Sequence, residues 1–190
     1  MISATELRKG MVIRVDDEVF NVLAVEYVIR ERRRGFVQTK LRNVRTGLQS
    51  DKRFRSTDKV ELVHVDQREM EYIYDDADNI YVMDLKSYEQ IPIAKQALGD
   101  DIKFLKPNTM VKVNYYDGQP INVELPTTVD LKVIYTEPHQ RGATVTNVYK
   151  PATLETGAVV QVPPFISVGE IIRIDTRDGH YVERVKEAEE

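Results

Sequence analysis

The chain has 190 residues, with 27 Lys and Arg against 31 Asp and Glu for a formal charge of −4, 42% hydrophobic residues and no cysteine. That composition can build a core, but no apolar run approaches the roughly 20 residues that span a bilayer, and disulfide and thiolate chemistry are both excluded. The net charge conceals a division: residues 1–56 carry 13 basic and 7 acidic side chains, residues 57–190 carry 14 and 24. Asymmetry of this kind is a cue for polyanion binding by the basic part. The first ten residues, MISATELRKG, lack the basic head, apolar stretch and small-residue cleavage site of a secretory leader, so a cytoplasmic protein with no membrane partner is expected.

Period-two alternation rich in Val, Ile and Tyr runs through most of the chain and marks half-buried strands. In the first third it predicts strands over residues 11–15, 19–29, 36–44 and 48–54, turned by Asp16-Asp17 and Thr46-Gly47, which makes an antiparallel unit with one long hairpin. The middle third predicts strands over 70–74, 80–83, 110–115 and 121–125, with Asp117-Gly118 as a hairpin turn and one short helix near 93–98 closed by Gly99. The last third predicts strands over 129–135, 159–162, 170–175 and 181–185, with a turn at Asp178-Gly179. Short strands at this spacing fit an all-β chain of three small barrels, with domains over 1–63, 64–126 and 127–190.

Catalytic chemistry finds little to work with. His64, His139 and His180 have no partner at a zinc-site spacing, and there is no glycine-rich phosphate loop and no nucleophile elbow, so neither a metal nor a cofactor is expected. The adjacent acids Asp75-Asp76 and Asp100-Asp101 fall in predicted loops, where turn formation explains them better than the opposed carboxylates of an acid–base pair. No catalytic residue is assigned, and an enzyme is not expected.

The informative cluster is Arg30, Arg32, Arg33 and Arg34, interrupted by Glu31 and followed by Gly35, pinned between two strand-like runs at a hairpin tip. Guanidinium groups held on a tight loop can fork onto phosphates and stack on bases. Lys40, Arg42, Arg45, Lys52, Arg53 and Arg55 extend the charge through the same unit, and phosphate tracking by such a surface depends on salt and little on sequence. The acidic residues 57–190 argue against wrapping a DNA duplex, so the expected partner is a structured RNA machine of mixed protein and RNA surface. The alternative is an OB-type module that coats single-stranded RNA by aromatic stacking, which 8% aromatic residues and the absence of Trp make the weaker reading.

The run of residues 150–163, KPATLETGAVVQVP, continued by Gly169-Glu170 and by Asp175-Thr176-Arg177-Asp178-Gly179, resembles the signature of bacterial translation elongation factor P. Collinear matches are Leu7-Arg8-Lys9-Gly10-Met11, Lys40-Leu41-Arg42 with Thr46-Gly47, Phe54-Arg55-Ser56-Thr57-Asp58 and Asp117-Gly118-Gln119-Pro120. The resemblance implies a KOW/SH3-like N-terminal domain followed by two OB-like domains, in an L-shaped arrangement that mimics tRNA. It implies a monomer that binds the 70S ribosome between the P and E sites and touches rRNA and the P-site peptidyl-tRNA. There it would stimulate peptide-bond formation and relieve stalling at consecutive prolines, with the tip of the first domain holding the CCA end.

Counting from Lys40-Leu41-Arg42 and from Gly10 places Arg32 at the family's functional tip position, with Arg33 and Arg34 as alternatives. Arg30, Gly35, Lys40, Arg42, Arg45, Lys52, Arg53 and Arg55 fall where tip-flanking contacts to tRNA and rRNA are implied. The tip lacks the family's Pro-Gly. A modifying enzyme acts at this position in some members; three adjacent arginines favour an unmodified tip here. In the third domain Arg141-Gly142-Ala143-Thr144 stands where many members carry Gly-Asp-Thr near the E-site mRNA codon, so an acidic acceptor is missing. Both departures are similar to the family's paralogue branch. Tyr181 and Arg184 match positions that face the small subunit, and Arg184 reads equally well as a solvated strand end.

Overall fold

A computed structural model describes residues 1–30, 33–138 and 149–185. Strands dominate, as the alternation requires. They are β1 (Ile2–Ser3), β2 (Val12–Val15), β3 (Glu18–Arg30), β4 (Arg33–Asn43), β5 (Gln49–Arg55), β6 (Lys59–Leu62), β7 (Asp66–Asp75) and β8 (Asn79–Asp84). They continue with β9 (Gln90–Ala94), β10 (Met110–Tyr116), β11 (Gln119–Glu124), β12 (Thr128–Thr136), β13 (Lys150–Leu154), β14 (Val159–Val162), β15 (Ile171–Asp175) and β16 (Tyr181–Val185). Among the described residues three sheets result, ordered β1-β6-β2-β3-β4-β5, β11-β10-β7-β8-β9 and β14-β13-β12-β15-β16. By compactness the chain separates into two units, residues 1–68 with 113–124 and residues 69–112 with 125–190.

In the first unit β2 and β3 are joined by a two-residue turn, with Val15 opposite Glu18. Asp16 and Asp17 take φ of 52° and 62°, the left-handed pair that a two-residue hairpin demands and that short acidic side chains tolerate. β3 and β4 then pair from Phe20 opposite Asn43 out to Arg30 opposite Arg33. Thirteen residues at about 3.3 Å each make a strand of roughly 43 Å, well beyond the usual length. Alternation along β4 buries Val37, Thr39, Leu41 and Asn43 and turns Gln38, Lys40 and Arg42 outward. Val37 and Leu41 meet Ala4, Leu7, Ile13, Val22, Phe54 and Val60 in the core of this unit. A bulge between Val22 and Ala24 shifts the inward parity, so that Val22 and then Val25 both pack on that core. The β10–β11 hairpin of the same unit turns at Asp117 and Gly118, φ 49° and 74°, as its Asp-Gly pair requires.

In the second unit, Leu131, Val133, Ala152, Leu154, Ile166, Ile172 and Ile174 fill the core of the third sheet, and Phe104 inserts its ring among them. The edge strands β14 and β16 approach one another, curling the sheet toward closure. At the β15–β16 turn Gly179 has φ +74°, and a Cβ there would lie 3.1 Å from Phe104 Cζ. Gly179→Ala therefore meets backbone strain and a contact with a buried ring together. The expected loss is about 1–2 kcal/mol, read as a lowered urea midpoint with unchanged slope.

The Arg173 guanidinium forks onto Asp130 across the β12–β15 pair, at 2.8 and 3.0 Å, and also reaches Glu183. Arg173 beside it holds the Asp130 carboxyl below its ordinary range. A depressed carboxylate contributes stability above its unfolded pKa of about 3.9 and loses it as pH falls through the folded value. More than a third of each side chain is exposed, so solvent screens the pair, and Asp130→Asn should cost under about 1 kcal/mol at pH 7. Melts of wild type and variant should converge as the pH is lowered past about 4, where the unfolded carboxyl takes up its proton.

Three expectations change. The helix near 93–98 is absent: Ile93 and Ala94 end β9, paired with Ile80 and Asn79, and only a three-residue 3-10 turn, Lys95–Ala97, follows. Gly99 adopts the left-handed φ, +60°, which breaks the helical run, and a second 3-10 segment, Gly99–Phe104, follows in place of an α-helix. β7 begins at Asp66 rather than 70, because its first four residues are exposed and lack the alternation that marks a half-buried strand. β13 went unpredicted because Pro151 argues against a strand; it pairs with Gln161 and its carbonyl accepts the Thr136 hydroxyl at 3.0 Å.

Candidate nucleic-acid interface

The long hairpin carries the arginine cluster at its far end. Arg30 ends β3, Arg33 and Arg34 open β4, and Arg32 lies outside the described residues. β5 pairs with β4 only from Arg42 opposite Gln49 to Phe36 opposite Arg55, so the hairpin is three-stranded up to Phe36 and a two-stranded ribbon beyond. Gly35 sits at that transition. A Cβ there would lie 3.4 Å from the Val28 carbonyl, and the Gly35 carbonyl accepts the Ser56 N–H at 3.2 Å.

Register sorts the flanking cations into two sets. Residues opposite one another share a face. Phe36 with Arg55, Gln38 with Arg53, and Lys40 with Asp51 therefore line the outer face of β4 and β5, continued by Arg42 opposite Gln49. Lys40, Arg53 and Arg55 are exposed there, spaced at the two-residue interval of about 7 Å along each strand. Arg42 is half-buried, and burial lowers the pKa of its guanidinium from the ordinary value. Lys52 lies opposite buried Thr39 on the inner face, its Nζ 2.6 Å from Asp16 Oδ2. Arg45 lies past the end of β4 farthest from the tip, 3.5 Å from Glu18. The six flanking cations named from sequence thus divide: four share the outer face of the hairpin, and two are ion-paired elsewhere.

Two grips on the hairpin were not legible from sequence. On the outer face the Arg53 guanidinium lies over the Phe36 ring, 4.2 Å from its centroid, and its Nε donates to Gln38 Oε1 at 3.3 Å. On the inner face the Tyr27 hydroxyl donates to the Leu7 carbonyl at 2.6 Å while Arg8 donates to that hydroxyl at 2.7 Å. The periodic pattern put Phe36 and Tyr27 on strands but gave no cross-strand register, and register is what makes both contacts.

In the third sheet Tyr181 opens β16 and packs against the core, where burial raises its phenol pKa. Arg184 is exposed and donates to Glu170 at 2.9 Å. Arg141, Gly142, Ala143 and Thr144 lie outside the described residues.

The adjacent acids are engaged structurally. Asp76 accepts the N–H groups of Asp78 and Asn79 at 2.9 and 2.7 Å, closing an Asx turn between β7 and β8. Asp75 accepts from Lys95 at 2.5 Å and from the Tyr72 hydroxyl at 2.7 Å, and these bonds hold its carboxyl below the ordinary range. Asp100 and Asp101 stand in the first turn of the 3-10 segment Gly99–Phe104.

Three family models match in chain order: the elongation factor P KOW-like domain over residues 3–60, the elongation factor P OB domain over 65–123, and the elongation factor P C-terminal domain over 129–184. Among curated relatives, elongation factor P of Moorella thermoacetica is 47% identical over 184 residues, covering 97% of this chain and 100% of that one. Elongation factor P of a Thermoanaerobacter species is 49% identical over 185 residues, covering 97% and 100%. A solved structure, the eukaryotic translation initiation factor 5A from Methanococcus jannaschii, aligns with TM-score 0.37 and 16% identity over 66% of this chain and 92% of its own, a likeness too slight to bear on the site. With its three domain models matched in order and its relatives aligned end to end at nearly half identity, the chain belongs to the elongation factor P family of translation elongation factors.

Proposed function

We propose that this chain binds the 70S ribosome between the P and E sites and speeds peptide-bond formation on ribosomes stalled at consecutive prolines. The observation that carries this reading is the long β3–β4 hairpin, basic along its outer face and ending in arginines, on a chain of this family. Domains over 1–63, 64–126 and 127–190 would place that hairpin in the first. Its tip, Arg32 with Arg33 and Arg34 as alternatives, reaches the CCA end of the P-site peptidyl-tRNA. Lys40, Arg42 and Arg55 on the outer face meet phosphates of tRNA or rRNA, where their charge sets affinity and salt dependence rather than sequence choice. Chemistry remains with the ribosome. The factor supplies orientation, which lowers the entropic part of the barrier and needs no nucleophile of its own.

The loop Arg141 to Thr144 is assigned to the E-site codon, where Thr144 and the backbone take over from the missing acidic acceptor. Tyr181 and Arg184 are assigned to the small subunit, where Arg184 would have to exchange its Glu170 partner for phosphate. The protein acts in the cytoplasm as a monomer with an unmodified tip. Co-sedimentation tests the reading: the chain should pellet with ribosomes holding peptidyl-tRNA far more strongly than with naked RNA of equal length. Equal affinity for both would instead favour a module that coats single strands.

A further inference from the structure

Among the described residues the ribbon that carries the tip has no third strand beyond Phe36, and an isolated two-stranded hairpin is marginally stable in water. Its direction is therefore set at the last three-stranded rung, Val28 opposite Phe36 opposite Arg55. Arg53 sits two rungs below, opposite Gln38 on the same face, and reaches up along the outer face. Its guanidinium carbon lies over the Phe36 ring, 4.2 Å from the centroid, and its Nε donates to Gln38 Oε1 at 3.3 Å. A guanidinium committed in this way presents less of itself to a phosphate than Lys40 or Arg55 does.

We propose that Arg53 is a positioning residue: stacked on Phe36, it fixes the angle at which the ribbon leaves the sheet and so aims the arginine tip. Resting on the function proposed above, this gives the residue a role distinct from phosphate contact. The leverage is geometric. Three or four residues beyond Phe36 make an arm of about 12 Å, so a swing of about 5° moves its end by about 1 Å. A displacement of that size can cost up to about a hundredfold in a reaction that depends on alignment. Tyr27, tied to Leu7 and Arg8 on the opposite face, restrains the same region of the hairpin from the other side. Lysine cannot replace arginine here, because an ammonium lacks the flat fork that stacks and donates together.

Two readouts on the full-length chain test the assignment. The sequence contains no cysteine, so Glu31→Cys offers a single site for a nitroxide spin label at the tip. Arg53→Gln, Arg53→Lys and Phe36→Leu should each broaden the label's angular distribution, whereas Lys40→Gln should leave it unchanged. In translation of a Pro-Pro-Pro template, the unlabelled Arg53 and Phe36 variants should lower the maximal rate at saturating factor about fivefold, with the half-saturating concentration and its salt slope at wild-type values. An unchanged label spectrum in Arg53→Gln overturns the proposal. So does a raised half-saturating concentration with a shallower salt slope that Arg53→Lys restores, since that marks a phosphate contact. If wild type itself fails to stimulate, the ribosomal reading falls, and the spin label still decides whether Arg53 orders the ribbon.

Discussion

Replacing Arg32 with alanine should remove most of the acceleration that this factor gives at three consecutive prolines, a fall of about ten- to a hundredfold in the stimulated rate, while ribosome binding weakens only slightly. The expectation follows from where the hairpin ends. Orientation of a reacting group contributes through placement to within about an ångström, so losing the side chain proposed to touch the CCA end should be costly even though no bond is made or broken by it. On the proposed reading the long stem, by contrast, supplies affinity through charges that the substitution leaves in place. Single alanines at Arg33 and Arg34 complete the experiment. If one of them carries the loss and Arg32→Ala does not, the functional position moves along the tip; if all three single variants work as well as wild type, the tip does not act through one arginine.

The second large effect concerns the stem. Lys40→Glu combined with Arg55→Glu reverses two exposed charges on the outer face without touching the core residues beside them, Val37, Leu41 and Phe54. Thermal stability should stay within about 1 kcal/mol of wild type, as surface changes usually do. Affinity for ribosomes should fall by an order of magnitude or more at low salt, and the salt slope should become shallower by about one for each phosphate that is no longer neutralised. The same reversal at Lys52 and Arg45 should do much less, because Asp16 and Glu18 already neutralise those two cations. A uniform loss at all four positions would mean that total charge matters and face does not.

Sequence and structure agree best where the physics is local. The Asp16-Asp17 and Asp117-Gly118 turns were legible because left-handed φ values restrict the residues that can occupy them, and the strands of the basic hairpin were legible from alternation. Agreement ends where pairing decides. Lys40, Lys52 and Arg53 are equivalent basic residues when only the order of residues is known, yet one is exposed on the outer face, one is ion-paired on the inner face, and one is stacked on an aromatic ring. Only the β4–β5 register separates them. Residues 150–154 failed for a related reason: Pro151 is disfavoured in a strand by itself, but its carbonyl still accepts from Thr136 across the β12–β13 pair. Of Asp75 and Asp76, both read as turn residues, only Asp76 is one, as the turn's own acceptor; Asp75 is the last residue of β7, paired with Ile80 and held by Lys95 and Tyr72.

The overall charge of −4 describes none of this, because it averages a basic segment, residues 1–56, with an acidic remainder. What gives the division meaning is geometry: outward cations on one face of a long hairpin that ends in arginines. The measurement that tests this most directly is the rate of peptide-bond formation in reconstituted translation, on a Pro-Pro-Pro template and on a matched template without proline, with and without the purified chain. The account predicts at least a tenfold acceleration on the proline template, little on the other, and loss of the acceleration with Arg32→Ala. Equal rates on the proline template with and without the factor, under conditions where it is bound, would contradict it.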